Sequence, residues 1–128
     1  MNGRKIGYWK GRAKSFGYAW AGIKSLFRQE PNAKFHLGAS IVVIAAAFIL
    51  SLSIIEWCIV IGCIVAMFAA EAFNTAIEQL ANHVCSERHP RIGLIKDLAA
   101  GAVLMTALGV AAIGLLIFIP RIIHFFCH

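Results

Sequence analysis

"IIEWCIVIGCIVAMFAAEAFNTAIEQLANHV", residues 54–84, is the stretch on which the fold turns. From Trp57 to Ala70 it is uncharged and apolar, and it then continues into Glu71–His83 with neither proline nor glycine to stop it. The run predicts one long helix over about 54–84. Its first half suits hydrocarbon, and its last turns reach headgroups or water. Glu71, Asn74 and Glu78 stand at i, i+3 and i+7, with Thr75 at i+4, so they share one helical stripe. Two carboxylates and a carboxamide at the end of an apolar span are costly to keep there and usually mark function.

Upstream lies "HLGASIVVIAAAFILSLSII", residues 36–55, which is 20 residues without a formal charge. That is about the length that crosses a bilayer core. The spacing predicts a first span over about 35–52, with a short turn around 51–56. Further upstream, Phe16, Trp20, Ile23 and Phe27 recur at helical spacing among basic residues. They predict an amphipathic interfacial helix over about 12–30, ended or kinked by Pro31. Downstream, "CSERHPRIGLIK" holds Pro90 and Gly93, both turn signals. A third span follows over about 92–119, running to Pro120. It is rich in small residues, including Gly101, Ala102, Gly109 and Gly114, which let membrane helices approach closely.

Bulk composition agrees. The mean hydropathy of +0.78 is too high, and 14% charged residues too few, for a water-soluble domain of 128 residues. The net charge of +6 invites a nucleic-acid reading, but no such motif is present and the cations gather at span ends. Eight of the 12 Lys and Arg residues precede the first span, none lies in the first turn, three lie in the second loop and one in the tail. The positive-inside rule therefore predicts a cytoplasmic N-terminus and second loop, with the first turn and C-terminus outside. Cys58, Cys63, Cys85 and Cys127 show no CxxC spacing and read as small apolar fillers. No secretory signal peptide is visible.

In this layout Glu30, Glu71, Glu78, Glu87 and Asp97 collect at one membrane face, and only Glu56 lies at the other. Oxygen donors on the Glu71–Asn74–Glu78 stripe suit a hard cation such as magnesium. Lys96 and Asp97 open the third span at about the same depth, where a lysine and a helix N-terminus can meet phosphate. The competing reading is that these charges only snorkel to the headgroups.

"EAFNTAIE" followed by "SERHPRIGLIKDLAAGAVL", and preceded by "GYAWAGIKSLFRQEPNAKFH", closely resembles the small bacterial integral-membrane lipid kinases, the prokaryotic diacylglycerol kinases and undecaprenol kinases. The resemblance spans about residues 12–118. It implies an all-α membrane protein: a surface helix plus three transmembrane helices in one domain over 1–128, assembled as a homotrimer in the bacterial cytoplasmic membrane. Active sites shared between subunits would face the cytoplasm. The implied reaction moves the γ-phosphoryl of magnesium-ATP to a lipid hydroxyl. No Walker motif or Gly-rich phosphate loop is present, which fits this family and no soluble kinase.

Carried over by position, the resemblance makes Glu71 the general base, with Asn74 supporting it. Glu30 and Glu78 match metal-binding carboxylates. Tyr18, Glu87, His89, Lys96 and Asp97 match nucleotide-contacting positions, and Trp20 a residue of the lipid-binding groove. Each has a plainer alternative: Tyr18 and Trp20 as interfacial aromatics, His89 as a shaper of the Pro90 loop. The family's ATP-contacting arginine falls on Gly11, beside Arg12; Arg12 and Lys14 suit anionic lipid or phosphate. Asn82 stands where the family has an aspartate. Ala100, where the diacylglycerol branch has a serine, and the E-x-N-x-K-x-H run Glu30–His36 lean toward undecaprenol as acceptor. Diacylglycerol is the alternative. A non-catalytic membrane assembly protein is a reading of another class, and it leaves the one-sided acids unexplained.

Overall fold

The computed structural model describes residues 2–127. They form four helices and no strand: α1 (Asn2–Gln29), α2 (Pro31–Ile49), α3 (Ile54–Val84) and α4 (Pro90–Cys127). The last three are long and apolar enough to cross a membrane. At 1.5 Å per residue, α3 and α4 run roughly 46 and 57 Å, beyond a hydrocarbon core of about 30 Å. Both are therefore longer than that core is thick.

Each boundary has a local cause. Pro31 ends one helix and starts the next. It forces the preceding Glu30 into an extended conformation (φ −101°, ψ 113°) and then sits at the first position of α2, where its missing N–H is no loss. α2 thus begins at 31 and not 35. It also ends sooner than the apolar pattern suggests. Ser51 adopts φ 52°, its N–H donating to Phe48 O (3.3 Å) and that of Leu52 to Ala47 O (3.2 Å). That pair of bonds is a Schellman closure, and the buried contact between Leu52 and Ala47 completes it. Glycine usually fills the left-handed position, so its absence hid the stop.

Ser53 then caps α3. Its hydroxyl accepts from Glu56 N–H (3.2 Å), and the Glu56 carboxylate accepts from Ser53 N–H (3.0 Å). Glu56 is therefore the third residue of a helix and not part of the turn, and Ser53-x-x-Glu56 was the signal for it. α3 itself spans Ile54–Val84, as its sequence suggests.

Two helices run longer than expected. α1 extends upstream to Asn2, because Gly3, Gly7 and Gly11 each cost a helix only about 1 kcal/mol. α4 passes through Pro120 to Cys127. Pro120 removes one hydrogen bond but fixes a helical φ.

α3 is the centre of the chain. It packs along α4, α2 lies against it, and α1 touches both α2 and α3. Ala47, Leu52 and Val60 form a buried cluster at the α2–α3 turn, backed by Trp57, Ile64, Ile117 and Phe118. Elsewhere large apolar residues such as Phe48, Met105 and Leu116 face outward. In water such a surface would aggregate; against lipid it is at home.

Candidate functional site

The polar stripe of α3 runs from buried to open. Glu71 is 2% exposed, the sole charged residue in the buried set among the described residues. Asn74 and Thr75, one turn on, are half-buried, and Glu78 is exposed. α2 packs against α3 and brings its own side chain to Glu71, while Glu78, two turns on, stays open. Glu71 Oε1 lies 3.4 Å from His36 Nε2, supplied by α2. In the sequence His36 opens the first apolar run and closes the Glu30–His36 motif, and no spacing rule ties it to Glu71.

Glu30 is half-buried at the α1–α2 junction, and its carboxylate caps no backbone N–H. Among the described residues Glu30 and Glu78 form no ion pair. No three His, Cys, Asp or Glu side chains among the described residues gather as a metal-binding group. Carboxylates without an ion-pair partner are donors of the kind magnesium takes, which binds one or two carboxylates and fills its remaining positions with water and substrate phosphates.

A second polar region lies between α3 and α4. Glu87, His89, Lys96 and Asp97 line one open recess of about 740 Å³ together with Arg88, which sequence reading did not single out. His89 Nδ1 accepts the Arg91 N–H (3.2 Å) and His89 O the Gly93 N–H (2.9 Å), so His89 caps α4. With Nδ1 engaged as acceptor, the neutral ring carries its proton on Nε2, free to donate to an anion. Lys96 Nζ donates to Asn82 Oδ1, joining the start of α4 to the end of α3. A carboxamide holds the ammonium without cancelling its charge.

Tyr18 and Trp20 sit exposed on α1, and Lys24 Nζ lies 5.9 Å from the Trp20 ring centre. A groove of about 380 Å³ separates α1 from α3, floored by small residues including Gly22, Ala72 and Ala76; Tyr18 and Trp20 do not line it. A third, apolar groove of about 460 Å³ opens among α2, α3 and α4. It starts at His36 and Met67, beside Glu71, and runs to Ile117 and Phe118. A buried carboxylate with an apolar groove leading away from it suits a hydroxyl on a long apolar chain, and a separate open recess of mixed charge sets Arg88 and Lys96 beside Glu87 and Asp97.

Comparison with known proteins bears on the same residues. The family described as prokaryotic diacylglycerol kinase matches residues 17–118. The chain is 43% identical over 109 residues to the undecaprenol kinase of Bacillus subtilis, covering 85% of this chain and 89% of that one. It is 31% identical over 110 residues to a diacylglycerol kinase of Synechocystis, covering 85% of this chain and 63% of the relative. The diacylglycerol kinase of Escherichia coli K12 is 28% identical over 92 residues, covering 72% and 75%.

Proposed function

The chain belongs to the prokaryotic diacylglycerol kinase family and is a membrane lipid kinase with ATP as co-substrate; from that premise we propose that its acceptor is undecaprenol. The observation that carries this choice is the 43% identity to an undecaprenol kinase along nearly the whole of both chains. Ala100, and the run Glu30–His36, point the same way. Diacylglycerol is the second reading, favoured by the other relatives, at 31% and 28% identity.

Glu71 is the general base. Its carboxylate takes the proton of the lipid hydroxyl as that oxygen attacks the γ-phosphorus; the bond to the bridging oxygen breaks and ADP leaves. Asn74 holds the base's surroundings polar and fixed. Lys96, Arg88 and the His89 Nε2–H meet the phosphates from the α3–α4 recess, where Glu87 and Asp97 also contact the nucleotide. Tyr18 adds a nucleotide contact and Trp20 a lipid contact from α1. Glu30 and Glu78 hold Mg2+, which supplies neutralisation of phosphate charge when bound.

α1 lies in the interface and brings Glu30 to the phosphate side of α3. The whole of 1–128 works as one unit in the bacterial cytoplasmic membrane, with α1 and the α3–α4 loop on the cytoplasmic side, where the cations concentrate. Homotrimer formation with shared sites is supported by the outward apolar faces and by Gly101, Gly109 and Gly114, above which a neighbouring helix has open space. The testing experiment is ATP consumption by detergent-purified protein with undecaprenol, diacylglycerol or no lipid. Stimulation by undecaprenol is expected. A response to diacylglycerol alone would move the assignment to the second reading.

A further inference from the structure

We propose that His36 is a positioning residue for the proton-accepting carboxylate: its Nε2–H holds Glu71 Oε1 and turns the other carboxylate oxygen toward the lipid hydroxyl. This rests on Glu71 being the base. A carboxylate whose side chain is 3% exposed needs a polar partner, because burying an unpaired polar group is costly. Among the described residues no lysine or arginine pairs with Glu71; the group that approaches it is the imidazole.

The imidazole is well placed to act as a fixed donor. His36 lies in the first turns of α2, and the edge of the Phe35 ring meets it at 5.7 Å and 75°. His36 also lines the head of the apolar groove among α2, α3 and α4, so a chain lying there brings its terminal hydroxyl to this pair. The 3.4 Å separation is longer than a 2.7–3.2 Å hydrogen bond, as expected for a catalytic contact that tightens once substrate closes the site. A neutral ring suffices, since Nε2–H donates without a charge. Without that donor the carboxylate is free to rotate, and a base that must meet one proton in one geometry loses rate and not ATP affinity.

The test compares His36→Gln, His36→Asn and His36→Leu in the full-length, detergent-solubilised protein with undecaprenol and magnesium-ATP. A glutamine amide reaches about as far as Nε2; an asparagine amide stops near Nδ1. Expected is a kcat loss of about ten- to a hundredfold for Asn and Leu, with KM for ATP within about twofold and His36→Gln within about threefold of the parent. A role in folding alone would not separate Asn from Gln. Equal kcat for Asn and Gln, whether both high or both low, would overturn the proposal. Glu71→Gln run alongside separates the two levels: if it keeps turnover, the base assignment fails, whatever His36 does.

Discussion

The two ends of α3 each carry glutamate, and they use it differently. At the N-terminal end Glu56 is heavily engaged. It accepts from Ser53 N–H in the capping box and from Arg121 Nε (3.2 Å) and a second guanidinium nitrogen of the same residue. This one carboxylate closes a helix start and ties α3 to the far end of α4. At the C-terminal end Glu71 is buried with a single imidazole near it, and Glu78 is open. A carboxylate already accepting three hydrogen bonds is a fastener. One left with spare acceptor capacity beside an apolar groove can take a proton, and one left open can take a metal. Count of acids therefore says less than what each acid is already bonded to.

The difference can be broken from either end. Glu71→Gln should cost about a thousandfold or more in lipid-stimulated ATP turnover while leaving the elution profile of the folded protein unchanged, since the carboxamide keeps volume but not basicity. Size-exclusion chromatography beside a coupled ATPase assay checks both halves. Glu78→Ala or Glu30→Ala should raise the magnesium concentration for half-maximal rate by about tenfold; a magnesium titration reads it directly, and an unchanged midpoint would remove that residue from the metal site. Asn82→Asp tests the recess. A carboxylate there would pair with Lys96 and compete with phosphate, raising KM for ATP by about three- to tenfold with kcat little changed.

The N-terminal end of α3 should answer in stability and not in rate. Glu56→Gln or Arg121→Leu should lower the thermal midpoint in detergent by a few degrees with KM for ATP unchanged, because the contact lies at the other end of the helix from the polar stripe. The smallest effect is expected at Ser51, where φ is 52°. Ser51→Gly relieves left-handed strain against a gain in unfolded-chain entropy, for a net stabilisation of under about 1 kcal/mol, visible as a slight rise in the same midpoint.

Sequence made the helices legible where one physical signal acted alone. The bounds of α3 followed from an uninterrupted pattern. The turn at Ser51 was legible, but the Schellman closure that ends α2 at Ile49 was not, because it is built on serine rather than glycine, and α4 passes through the stop signal at Pro120. The carboxylate stripe was legible as spacing, but its gradient of burial was not, since that depends on how the helices pack. His36 and Arg88 were missed for a related reason. Their relation to Glu71 and Lys96 is made by packing and by a loop, and neither leaves a periodic trace in the chain.

The most direct measurement is lipid-dependent ATP turnover by the purified wild type and by Glu71→Gln, each with undecaprenol and with diacylglycerol. Strong stimulation of the wild type by undecaprenol, and none of the variant by either lipid, is the expected result. Turnover by Glu71→Gln close to that of the wild type would contradict a catalytic role for the buried glutamate of α3.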